Sequence, residues 1–175
     1  MLKRVQHDGI GRAAYASAAA FLLLTLSACG LSPMYAGGGS GEVARGLAAV
    51  DVAPIEGRAG WLVRNELTDR LGAAGEASPR YRLDVRLDDE LQALGILADD
   101  TVSRERRALR ARYQLVDISS GEIMLDATDG IDAGIDVVSS EYATIAAEQA
   151  ALENLSRLLA DEIVTRLSLT LRRAQ

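Results

Sequence analysis

Residue types that build most catalytic and metal sites are nearly missing from this chain. Among its 175 residues there is one histidine, His7, one cysteine, Cys29, and one lysine, Lys3. Phenylalanine is also single, at Phe21. A lone cysteine has no disulfide partner. All four residues fall in the first 29 positions, and that stretch has its own pattern. Lys3, Arg4 and Arg12 make a positive start in which Asp8 is the only acid. From Ala13 to Leu26 there is no charge, and Phe21-Leu22-Leu23-Leu24 forms the apolar centre. A charged region followed by a short apolar one is the arrangement of a secretory signal peptide. The run is well short of the roughly 20 residues a spanning helix needs.

Leu26-Ser27-Ala28-Cys29 follows directly. It resembles the bacterial lipobox: a branched apolar residue, two small residues, then cysteine. The resemblance implies that the Cys29 thiol receives a diacylglycerol and that cleavage makes Cys29 the first residue of the mature chain. It also implies an N-acyl chain, such as palmitate, on the new amino terminus. Several chains on one residue anchor stably where a single chain is marginal. Gly30, not Asp, comes next, which by enterobacterial sorting rules implies the outer membrane. Gly37-Gly38-Gly39-Ser40-Gly41 reads as a flexible spacer; it lacks the Lys-Ser/Thr of a phosphate loop. Three segments follow: a lipoprotein signal peptide over 1–28, the lipidated Cys29 and its tether over 29–46, and one domain over 47–175.

Without Lys3, Arg4, Arg12 and Asp8, the 19 basic and 25 acidic residues of the full chain become 16 and 24, a net charge of −8. All 16 are arginine. An acidic chain with no basic tail lacks the positive footprint of a nucleic-acid binder. With His7 removed and Cys29 acylated, there is no Ser-His-Asp triad, Cys-His dyad or His/Cys zinc site to build. No Walker loop, HExxH or Rossmann fingerprint occurs. Carboxylate-only chemistry stays open, with Asp88/Glu90 and Asp99/Asp100 as the pairs. Against it, adjacent acids on a strand point to opposite faces, and the second pair sits on an exposed tip. The expectation is a binding and scaffolding protein without catalytic residues, metal or non-covalent cofactor.

The body alternates strand and helix patterns. Ala48 to Ile55 reads as a first strand, closed near Pro54. Ala59, Leu62, Val63, Leu67, Leu71 and Ala74 recur at helical steps, with Trp61 in the first turn. Tyr81, Leu83, Val85 and Leu87 alternate with Arg82, Asp84, Arg86 and Asp88, the signature of a half-buried strand. Asp89-Glu90 breaks that phase and predicts a bulge. Asp99-Asp100-Thr101 makes a polar tip. A second long strand runs from about Ser103 to Ile118, with Leu109, Ala111, Tyr113 and Leu115 inward. Ser119-Ser120-Gly121 is a hairpin turn, and a third strand runs from Glu122 to about Val137, bent at Gly130 and Gly134. Ser140 caps a helix reaching about Arg172, with Ile145, Gln149, Leu152, Leu159, Ile163 and Leu167 at helical spacing and Leu155, Leu158 and Val164 widening the stripe. The order β-α-β-β-β-α predicts an α+β two-layer sandwich: a four-stranded, mostly antiparallel sheet with two helices on one face.

The lipobox, the stretch Cys29-Gly30-Leu31-Ser32-Pro33-Met34-Tyr35, and this element order with its long last helix together resemble the LptE family of lipopolysaccharide-assembly lipoproteins. The resemblance is strongest to its alphaproteobacterial form. It implies a non-enzymatic protein of the cell outer membrane, held by its lipid anchor, with its domain inside a barrel or facing the periplasm. The partners it implies are the β-barrel LptD, which such proteins plug and help to fold, and lipopolysaccharide on its way to the surface. A polar sheet face suits a water-filled lumen, and arginine forks suit the ligand's phosphates. Arg104, Arg106, Arg110 and Arg112, with Arg82 and Arg86, are the candidate contacts to lipopolysaccharide or barrel; alternation turns Arg107 the other way. Cross-strand ion pairs on a solvated face are the plainer role for the same residues. An auxiliary lipoprotein of an ABC-type lipid transporter, or a pilotin-like chaperone, is the alternative reading of a lipobox joined to a small α/β domain.

Overall fold

The computed structural model describes residues 41–75, 77–96 and 102–174. The leader, Cys29, most of the tether and the Asp99–Asp100 tip lie outside the described residues. Helix α1 (Glu42–Ala48) leads into strand β1 (Val50–Val52) and helix α2 (Gly57–Leu71). Strands β2 (Tyr81–Ile96), β3 (Val102–Asp117) and β4 (Ile123–Asp136) follow, and helix α3 (Glu141–Arg173) closes the domain. The sheet order is β1-β2-β3-β4. β1 lies parallel to β2, with Val50 opposite Tyr81 and Val52 opposite Leu83. Parallel neighbours need a crossover, and α2 supplies it. The other pairings are antiparallel. The predicted α+β sheet and its two covering helices are therefore present. α1 is an addition, beginning inside the stretch expected to be tether.

Alternation explains the layers. Tyr81, Leu83, Val85, Leu109, Ala111, Tyr113 and Leu115 are buried on one side of the sheet. They meet Ala59, Val63, Leu67 and Leu71 of α2 and Leu152, Leu155, Leu159, Ile163 and Leu167 of α3. Each such leucine contributes about 1.5–3 kcal/mol by leaving water. The α3 stripe departs from expectation at three places. Ile145, Gln149 and Leu158 are exposed, while Ser156, Ala160 and Ser168 are buried. Ser140 does cap α3, its hydroxyl oxygen accepting from the Ala143 N–H at 3.4 Å. Tyr81 and Tyr113 are core residues, and Trp61 is 63% exposed.

Two strand irregularities are not where the sequence pattern placed them. The β2–β3 register runs without a slip from Tyr81 opposite Asp117 to Ile96 opposite Val102. There is no bulge at Asp89-Glu90: Asp89 keeps the inward phase and takes two bonds from Arg107, at 2.8 and 2.7 Å. Likewise the β3–β4 register does not shift at Gly130 or Gly134. It shifts between Leu115 and Val116, leaving Met124 as the extra residue. The hairpin joining β3 to β4 turns at Gly121, whose φ of 73° falls in the left-handed region that glycine adopts without strain.

Candidate functional site

The helices cover one face of the sheet, so the other is free to meet a partner. Its central strand carries Arg104, Arg106, Arg110 and Arg112, interrupted by Ala108. β2 adds Arg82 and Arg86. All six candidate arginines thus share one face, as their alternation predicted. Arg107 stands on the opposite side, where it also donates to the Glu148 carbonyl at 3.0 Å. The same outer face holds Asp51 from β1, Asp84, Asp88 and Glu90 from β2, and Asp126, Asp132 and Asp136 from β4. Six arginines therefore stand against seven carboxylates, and the strands of this face carry a net charge of only −1.

Most of these charges pair along the strands and across them. Arg104 meets Asp136 at 3.0 Å, and Arg112 meets Asp126 at 3.1 Å. Asp132 is shared by Arg106 at 3.0 Å and Arg110 at 2.9 Å. Arg82 pairs with Asp84 at 3.0 Å. Hydrogen bonds from Arg112 and Gln114 hold the Asp126 carboxyl below its usual range. Desolvation works against ionisation at Asp132, but the bonds from Arg106 and Arg110 outweigh it and lower its value too. Exposed pairs of this kind are screened by salt and add little to fold stability. They hold the guanidinium groups in an ordered row.

Gly130 has a role in that row. A Cβ there would collide with the Arg110 side chain and come within 2.8 Å of its Nε. Glycine lets Arg110 lie flat across β4 to reach Asp132 and, at 3.3 Å, the Ile131 carbonyl. Arg86 differs from its neighbours. It faces Arg112 directly in the register, an unfavourable like-charge pairing, and makes no ion pair among the described residues. Arg86 and Arg112 line one shallow concavity with Asp84, Gln114, Ala53 and Pro54 beside the end of β1. Arg112 stays paired with Asp126 there, which leaves Arg86 as the arginine of this concavity without an ion pair among the described residues.

A polar cluster on the inner face has no counterpart in the sequence reading. The buried Tyr113 hydroxyl donates to Asp129, and the other oxygen of Asp129 accepts from Arg166 of α3 at 2.6 Å. Burial, helped by the Asp129 acceptor, pushes the Tyr113 phenol well above the ordinary tyrosine value of about 10. The neutral phenol is thus favoured in the folded state. Its contribution is complete below pH 10 or so, and is lost as pH rises and the unfolded chain ionises first. The melting temperature should fall above that pH with a component of about 1.4 kcal/mol per pH unit, and Tyr113→Phe should remove this component. Thermal scans between pH 8 and pH 11 read it directly. The carboxylate pair Asp88/Glu90 is exposed on the outer face, where Glu90 accepts from Gln92 at 2.7 Å. No cluster of metal-ligating side chains occurs among the described residues.

The family model described as LptE: Lipopolysaccharide-assembly matches residues 47–167. The chain belongs to this family. LptE proteins are non-enzymatic lipopolysaccharide-assembly lipoproteins. No curated protein matches the chain. Among solved structures, a putative lipoprotein from Caulobacter crescentus CB15 is 25% identical with a TM-score of 0.63, covering 74% of this chain and 96% of its own. The rare lipoprotein B from Shewanella oneidensis has a TM-score of 0.55 at 13% identity, over 70% of this chain and 93% of its own. A minor lipoprotein from Acinetobacter baumannii scores 0.57 at 14% identity, over 70% and 92%. The last two likenesses concern the fold alone.

Proposed function

We propose that this LptE-family protein is anchored in the outer membrane through lipid on Cys29, that its domain fills the lumen of the LptD β-barrel and assists its assembly, and that it helps deliver lipopolysaccharide to the cell surface. The observation that carries this reading is the uncovered sheet face with its interleaved arginines and carboxylates. A plug must be rigid, because it templates a closed wall, and wet, because the lumen holds water. A polar sheet of interleaved opposite charges, backed by two helices, meets both demands. Its arginines offer bidentate forks to phosphate, and Arg86, without an ion pair among the described residues, is the least neutralised of them.

Charge reversal tests the ligand contact. Arg110→Glu together with Arg112→Glu should weaken lipopolysaccharide binding by at least about tenfold, the loss of one charge-assisted bond. Both side chains are solvent-facing, so the melting temperature should stay close to wild type. Asp126→Asn, which releases Arg112 from its partner, should bind no more weakly than wild type. Unchanged affinity in the double reversal would remove these residues from the ligand surface.

A further inference from the structure

We propose that the end of the domain nearest the anchor docks on an anionic phospholipid surface, with a lipid phosphate held between Arg45 and Arg80. The inference rests on the lipidation of Cys29 proposed above. α1 begins at this end, β2 starts and β3 finishes here, and α3 ends here at Arg173. Arg45, Ser78, Arg80, Tyr81, Met124 and Leu171 line one open cavity. Two arginines and a serine hydroxyl, with Glu42 the one acid of the lining, stand beside apolar side chains, a combination that suits a phosphate headgroup lying over the start of its acyl chains.

The two rim arginines are available. Arg45 makes no ion pair among the described residues, and Arg80 approaches Asp117 only to 3.6 Å with its side chain 68% exposed. The Arg80 guanidinium instead rests 5.1 Å from the Tyr81 ring centroid. Arg172 and Arg173 add charge at the adjacent helix end, and the acids of this end are Glu42, Asp117 and Glu122. Beside them the β3–β4 hairpin presents Ile118 and Ile123, 51% and 53% exposed. Cations beside exposed apolar side chains are what interfacial docking uses: each arginine is drawn to an anionic leaflet, and the apolar groups enter the headgroup boundary.

Chain connectivity identifies the occupant as the bilayer. The described chain begins at Gly41, twelve residues after Cys29, and twelve residues span at most about 40 Å. An anchored Cys29 therefore keeps this end, more than any other, near the leaflet, where even a weak contact is populated by effective concentration. In a barrel-plugging arrangement the same constraint puts this end at the periplasmic mouth and sends the opposite end into the lumen.

The test uses the full chain as matured and lipidated, placed in nanodiscs of phosphatidylcholine alone or of phosphatidylcholine with phosphatidylglycerol. Amide hydrogen exchange in 42–48 and 117–123 should slow by about fivefold or more in the anionic discs, with α3 unchanged. Arg45→Glu with Arg80→Glu should return those rates to the phosphatidylcholine value. Equal rates in both discs, with the protein still co-eluting with them, would overturn the docking alone. A protein that leaves the discs would overturn the anchorage, and the docking with it.

Discussion

Asp129→Ala is expected to destabilise the domain by about 3 kcal/mol, lowering the melting temperature by about 6–12 °C. Asp129 stands on the core side of β4, and its side chain is 14% exposed. It is the acceptor for the Tyr113 hydroxyl, on a residue only 1% exposed. It also receives Arg166, so one carboxylate ties β3, β4 and α3 together. Alanine leaves the phenol buried without a partner, and an unsatisfied buried group costs about 1–3 kcal/mol. Arg166 is freer to turn to water, and its loss adds a smaller amount. Tyr113→Phe removes the donor and keeps Arg166 on Asp129, so it should cost only about 1 kcal/mol. The exposed pairs of the outer face give a contrast, because Asp126→Asn should leave the melting curve nearly unmoved. If Asp129→Ala and Asp126→Asn melted alike, the inner cluster would not tie the layers together as described.

Cys29→Ala should empty the outer-membrane fraction of this protein. No helix among the described residues is long and apolar enough to cross a membrane. In the proposed arrangement the acyl chains on Cys29 hold the chain in the leaflet, and each buried methylene is worth about 0.8 kcal/mol. The variant would keep an uncut leader or be released, and in neither form would it reach the outer membrane by the lipoprotein route. Intact mass measurement of the wild type should show a chain that starts at Cys29 and carries the added lipid. An unmodified Cys29, or a variant that still fractionates with the outer membrane, would contradict the anchor.

Much of the fold was legible because alternation is a local signal. Tyr81 through Asp88 state which side chains face in, and the same period on the next strand puts Arg104, Arg106, Arg110 and Arg112 on one side. What was not legible depends on neighbours in space. Asp89 looks like a break in phase until Arg107, from the next strand, is seen to hold it on the inner face. Gly130 looks like a bend, but it is the gap through which Arg110 passes. Asp129 looks like part of a turn signal, and only the register and α3 make it the acceptor for Tyr113 and Arg166. α1 is seven residues long, too short for a period to declare itself; Leu47 is its one buried side chain, and Gly46 lies within contact distance of Leu171. Along α3, Ile145 and Leu158 fit the helical repeat but lie where neither the sheet nor α2 covers them.

The central claim is that this domain works inside a barrel. The direct measurement is a detergent pull-down of the tagged, lipidated protein from outer membranes, with its partner identified and counted by mass spectrometry. One large β-barrel, LptD, is expected at one-to-one ratio and stable in detergent. Recovery of the protein alone, or with an inner-membrane transporter complex, would contradict it.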